Sequence, residues 1–168
     1  MTVYTQHEAY MKLSALCAAA EYCILDMRRK MSRWLLVPDG SKSVDTNADE
    51  SDQQALADAV IERLVKEGFI DERRYAHAFV RDKFRYNRWG STRISQELRM
   101  RRIDSSIISE ALEEIDEDDC LATLRQLIDR KRPSVKGRSD YEIRGKLIRF
   151  ALGRGYSMDD ILKVMGDE

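Results

Sequence analysis

GFIDERRYAHAFVRDKFRYNRWGSTRISQELRMRRIDSSIISEAL, Gly68 to Leu112, holds three helix starts in succession and decides the fold. Gly68 supplies a left-handed residue that ends one helix, and Asp71 caps the next, whose inner face is Tyr75, Ala76, Phe79, Val80 and Phe84. That helix ends near Gly90, and Ser91 starts a short one carrying Ile94 and Leu98. After Ile103 the cap Asp104 starts another, with Ile107, Ile108, Ala111 and Leu112 inward. Three short helices therefore make one unit.

The same grammar extends in both directions. Upstream, Thr5 with Glu8 forms a capping box ahead of the stripe Ala9, Leu13, Leu16, Cys17 and Ala20. A second stripe, Met27, Met31, Trp34 and Leu35, begins near Cys23, and Asp52 precedes Leu56, Val60, Ile61 and Leu64. Downstream, Asp116 starts a helix with Leu121, Leu124, Leu127 and Ile128 inward, stopped by Pro133. Ser139 with Glu142 opens a helix bearing Leu147, Ile148, Ala151 and Leu152 that Gly153 and Gly155 end, and Ser157 with Asp160 opens the last, faced by Ile161, Leu162 and Met165. A constant shift in register lays Ile94 on Leu147, Leu98 on Ala151, Ile103 on Tyr156, Ile108 on Ile161 and Leu112 on Met165, an internal repeat.

The expectation is an all-α chain of three tandem three-helix repeats, at 1–70, 71–115 and 116–168, stacked into an elongated, curved rod. Residues 37–51, with Pro38, Gly40, serines and acidic residues, read as a polar loop inserted in the first repeat. Charged residues interrupt every apolar run, so no membrane span is expected, and with no signal-like N-terminus the reading is cytoplasmic. Cys17, Cys23 and Cys120 lack paired spacing and read as reduced, inert thiols.

The net charge of −1 conceals segregation. Between Arg73 and Arg102, Arg73, Arg74, Arg81, Lys83, Arg85, Arg88, Arg93, Arg99, Arg101 and Arg102 are set against only Asp82 and Glu97. From Asp104 to Asp119 every charge is acidic, and from Leu121 to Arg154 the balance is basic again. Arginines interleaved with Tyr86 and Trp89 suit either a phosphate backbone or an acidic protein groove. The acidic block reads as a helix N-terminus, with Asp116 to Asp119 favoured by the helix dipole. No nucleotide, metal or nucleophile motif is present, and of the two histidines His77 falls off the inner face and reads as an exposed helical residue. Neither catalytic residues, cofactor nor metal is expected.

Gly68-Phe69-Ile70-Asp71 through Tyr75-Ala76 and Phe79-Val80, followed by Gly90 with Ile94 and Glu97-Leu98, resembles the central motif of the RecX regulatory proteins. Arg102-Ile103-Asp104 with Ile108 and Ala111-Leu112 continues the likeness, and Lys146-Leu147 through Phe150 to Ser157 with Ile161 resembles that family's third repeat. Glu21-Tyr22-Cys23 stands where the family usually has glutamate-tyrosine-serine, and the loop at 37–51 is longer than usual. The resemblance implies three-helix repeats and a modulator, mostly inhibitory, of the RecA recombinase that lies along the RecA filament; stacked repeats lead us to expect a monomer, and the charge pattern leads us to expect binding to the filament on single-stranded DNA, with DNA alone bound weakly. The residues then expected to meet the filament are Arg81, Lys83, Arg85, Arg88, Arg93, Arg99, Arg101 and Arg102 in one basic zone. In the other they are Arg130, Lys131, Arg132, Lys136, Arg138, Arg144, Lys146 and Arg149. The competing reading is an autonomous DNA-binding protein using helix-turn-helix-like pairs such as Ser91 to Leu112.

Overall fold

A computed structural model describes residues 5–36 and 50–166. The described residues form nine α-helices and one 3₁₀ turn, with no strand among them. The chain divides into two compact units, Met1–Tyr75 and Ala76–Glu168. Most of the expected loop, 37–49, lies outside the described residues, while Glu50 and Ser51 already belong to a helix.

The first unit contains α1 (Gln6–Ala19), α2 (Ile24–Leu36), α3 (Glu50–Lys66) and the start of α4 (Glu72–Arg85). Thr5 and Glu8 close the capping box in both directions, so α1 begins where its sequence requires. Ala9, Leu13, Met27, Met31, Val60, Ile61, Leu64 and Ile70 make its core. Two expectations are corrected here. α3 starts at Glu50 rather than after Asp52, and Ala20 is exposed because it is the extended C-cap of α1. Tyr10 takes the inward place beside Leu13 instead; its hydroxyl donates to Glu67, and the Arg63 guanidinium lies 3.8 Å over its ring. A tyrosine is legible as core only when a partner for its hydroxyl is known.

The second unit continues α4 and adds α5 (Ser91–Met100), α6 (Ser105–Leu112), α7 (Glu117–Lys131), α8 (Asp140–Gly153) and α9 (Met158–Met165). Asp104, Asp116, Ser139 and Ser157 all cap their helices by accepting backbone N–H groups. The box expected at Ser139 is displaced by one residue, because the Glu142 carboxylate accepts the N–H of Arg138. α5 is the exception among these starts. Its N-cap is Gly90, not Ser91, and no side chain caps it.

The register shift found in the sequence is matched in burial. Ile94 and Leu147, Leu98 and Ala151, Ile103 and Tyr156, and Ile108 and Ile161 are all buried pairs, whereas Leu112 and Met165 are both half-buried. Each fully buried aliphatic side chain contributes about 1.5–3 kcal/mol, so the repeat is a repeat of the stabilising contacts. α7, α8 and α9 share the core of Leu124, Leu127, Ile128, Leu147, Ala151, Tyr156 and Ile161.

The α5–α6 and α8–α9 connectors also share a backbone plan. In each, the amide three residues past the helix bonds a carbonyl five residues back, Ile103 to Leu98 at 3.2 Å and Tyr156 to Ala151 at 3.3 Å. The residue between is left-handed, Arg102 at φ +60° and Gly155 at φ +92°. The α3–α4 connector repeats the motif with Gly68 at φ +78° and Phe69 bonded to Leu64 at 2.9 Å.

Gly90 explains the missing cap of α5. Its N–H donates to the Arg154 carbonyl at 2.9 Å, and Thr92 N–H donates to the Gly155 carbonyl at 3.1 Å. The Tyr156 hydroxyl closes the same joint on the Arg88 carbonyl at 3.2 Å. A Cβ on Gly90 would meet the Gly155 carbonyl oxygen at 2.3 Å, and a Cβ on Gly155 would meet Arg93 Cβ at 2.4 Å. The two backbones touch, and only glycine fits on either side.

Candidate functional site

The second unit contains all sixteen basic residues marked out by the sequence, and the structure sorts them into those used inside the protein and those left for solvent. α4, α5 and the turns that follow them carry the first zone. Arg101 Nη1 pairs with Glu97 at 2.7 Å one turn earlier, and Arg81 pairs with Glu114 at 3.6 Å. Arg88 donates to Gln126 at 2.9 Å from a left-handed backbone at φ +53°, and Arg93 donates to the Gly153 carbonyl at 3.3 Å. These arginines tie helices together.

A ladder of cations and rings runs through this zone. Arg101 lies 4.9 Å and Lys83 5.2 Å from the Phe79 ring centre, while Lys83 at 5.2 Å and Arg93 at 4.1 Å flank Trp89. Each such contact contributes about 0.5–1 kcal/mol at exposed positions. Trp89, interleaved with the arginines in the sequence, is therefore engaged by the protein's own cations. Phe150 is engaged likewise, by Lys131 and Arg154 each at 5.5 Å.

In the second zone Lys146 bridges Glu142 at 2.7 Å and the Lys136 carbonyl at 2.7 Å, and Arg144 donates to the carbonyls of Met165 and Gly166, tying α8 to α9. Arg85, Arg99, Arg102, Arg130, Arg132 and Arg149 are exposed and have no ion-pair partner among the described residues. Lys136 and Arg138 are exposed as well. Arg149 is drawn to Glu142 only through longer-range attraction, and an exposed charge outside any ion pair is a place where a phosphate or carboxylate gains a charge-assisted hydrogen bond at little desolvation penalty.

His77 differs from its sequence reading. Its side chain is 21% exposed, with Nδ1 2.7 Å from Glu114 and Nε2 3.5 Å from Glu110, so it clasps α4 to α6. Helix spacing places His77 off the inner face correctly, but α6 with Glu110 and the turn after it with Glu114 lie beyond that face. The acidic block, in turn, divides its labour: Asp116 accepts from the amides of Asp118 and Asp119, and Glu117 pairs with Lys163 at 2.6 Å. Burial pushes the Cys23 and Cys120 thiols up to about 11 and raises Cys17 as well, which keeps all three protonated and unreactive at neutral pH. Among the described residues no helix is long and apolar enough to cross a membrane, and no three metal-ligating side chains converge.

Two family models cover the second unit and the end of the first. The second three-helix domain of RecX matches residues 71–112, and the third matches residues 117–165. A regulatory protein RecX of Clostridium botulinum is 32% identical over 68% of this chain and 53% of its own length, so the chain spans about half of that relative. A regulatory protein RecX of Pectobacterium atrosepticum is 29% identical over 86% of this chain and 87% of its own. Among solved structures, a regulatory protein RecX covers 97% of this chain and 72% of its own at a TM-score of 0.77 and 17% identity. RecX from Lactobacillus salivarius covers 95% and 94% at a TM-score of 0.73 and 16% identity. At such identities the solved structures speak for the fold alone.

Proposed function

The chain belongs to the RecX family of regulatory proteins, and from that membership and its unpaired arginines we propose that it binds the RecA filament on single-stranded DNA and inhibits the recombinase. The observation that carries the reading is the set of exposed arginines that form no ion pair among the described residues, Arg85, Arg99, Arg102, Arg130, Arg132 and Arg149. A filament offers acidic side chains and DNA phosphates on one surface, and guanidinium groups pair with both. The protein acts by occupying that surface as a cytoplasmic monomer and performs no chemistry of its own. The neighbouring basic residues of both zones complete the electrostatic footprint, while Arg81, Arg93, Arg101, Arg144 and Lys146 chiefly hold the helices that display it.

Autonomous DNA recognition through the α5–α6 pair fits less well. α6 bears Glu110 with Asp104 as its cap, and a recognition helix of that charge meets phosphates unfavourably. The test is RecA's DNA-dependent ATP hydrolysis, with RecA from the same organism. The parent protein lowers that hydrolysis, the effect weakens steeply with salt as counterion release demands, and free DNA is bound far more weakly than the filament. Reversing Arg85, Arg99 and Arg102 to glutamate removes no internal ion pair and abolishes the effect with the helical circular dichroism intact. Unchanged inhibition by the reversed protein, or none by the parent, refutes the reading.

A further inference from the structure

Tyr141 is 88% exposed, the most exposed of the large apolar and aromatic side chains among the described residues. It stands in the first turn of α8 and forms one wall of a cavity of 460 Å³ with Arg132, Asp140, Ile143, Arg144 and Met165. The size is that of a small-molecule site. Phe79, Trp89 and Phe150 all lie under cations of the protein itself, but among the described residues no such contact covers Tyr141. A ring so exposed at the wall of a cavity is open to a ligand.

The wall chemistry points to one kind of ligand. An uncovered aromatic face stacks any nucleobase. Arg132, exposed and unpaired, supplies a guanidinium for the adjoining phosphate. The Asp140 carboxylate accepts a hydrogen bond from an exocyclic amine such as that of cytosine. Ile143 and Met165 give the apolar floor, and the bonds from Arg144 to the Met165 and Gly166 carbonyls hold that floor in place. Glu142, the nearby second acid, is occupied by Lys146 and the Arg138 amide.

We propose that this cavity holds an unstacked base of single-stranded nucleic acid, with Tyr141 against the ring and Arg132 on its phosphate. A paired base has both faces covered by its neighbours, so a duplex cannot supply the ligand. The inference deepens the reading of the basic zones as facing DNA and rests on it.

Fluorescence anisotropy with a labelled oligodeoxycytidylate and an abasic strand of equal length tests it. The parent protein favours the base-bearing strand by about 5- to 150-fold, the range of one stacked base. Tyr141→Ala loses that preference while binding the abasic strand as before, and Tyr141→Phe keeps it. Arg132→Gln weakens both strands together and flattens the salt dependence. Equal affinity of the parent for the two strands overturns the proposal, as does a preference that survives Tyr141→Ala. A Tyr141→Ala protein that loses its effect on RecA while keeping the strand preference places a protein side chain in the cavity and also overturns it. Failure here leaves the parent's inhibition of RecA standing, whereas failure of the arginine reversal does not touch the strand preference.

Discussion

The α5–α6 and α8–α9 hairpins follow one backbone plan, yet the left-handed residue between helices is Arg102 in one and Gly155 in the other. The difference follows from what lies outside each turn. Gly155 is buried, with Arg93 against it and the amide of Thr92 on its carbonyl, and a side chain there has nowhere to go. Arg102 is exposed, so steric room decides nothing and only the backbone energy of a left-handed L-residue, about 1–2 kcal/mol, stands against it. The repeat sets the turn; the neighbour sets which residues the turn can hold.

The sharpest way to break the comparison is to place alanine at both positions. Gly155→Ala adds a left-handed penalty to a clash with backbone, and a loss of about 2–4 kcal/mol is expected in urea unfolding followed by circular dichroism. Arg102→Ala, at the same place in the repeat, leaves stability within about 0.5 kcal/mol because one L-residue replaces another. Equal losses at the two sites would mean that the joint between Gly90 and Gly155 does not hold in solution.

A smaller effect sharpens the likeness instead of the difference. Asp104 and Ser157 occupy the same capping position in the two hairpins, and alanine at either is expected to lose about 1 kcal/mol. The smaller stability change comes from Arg102→Gly, which relieves the left-handed backbone and gains about 0.5–1 kcal/mol in the same measurement. The same variant is expected to inhibit RecA less, since it deletes an unpaired guanidinium, so stability and activity move in opposite directions.

The least effect is one of pH. Hydrogen bonds from the Ser106 hydroxyl and amide hold the Asp104 carboxyl below its ordinary range. A carboxylate so depressed contributes stability above its unfolded pKa, and the contribution is lost as pH falls through the lower folded value. The hydroxyl cap of Ser157 has no such titration. Thermal unfolding from neutral to acidic pH is expected to show a slightly smaller decline for Asp104→Ser than for the parent, and an identical profile would deny the cap its charge.

Much of this architecture is legible from residues alone. Asp71, Asp104, Asp116, Ser139 and Ser157 announce their helices because a short polar side chain before an apolar stripe satisfies amides that have no other partner. Gly90 gives no such announcement. Its role as N-cap depends on the Arg154 carbonyl, far along the chain, whereas the neighbouring serine marks where the helix begins but does not cap it. The basic zones are legible as composition, whereas the division between Arg101, which pairs one turn away, and the left-handed Arg102, which has no ion pair among the described residues, is not.

Sequence by itself determined the helices, most of their inner faces, with Tyr10, Ala20 and Leu152 the exceptions, and the repeat that pairs Ile94 with Leu147 and Ile108 with Ile161, because capping and helical periodicity are short-range properties. Tertiary structure alone decided that Gly90 and Gly155 must be glycine, that His77 meets two carboxylates, and that Trp89 is covered while Tyr141 stands open beside a cavity. Those outcomes depend on which surfaces are brought within a few ångströms of each other by packing, and no spacing along the chain encodes that distance.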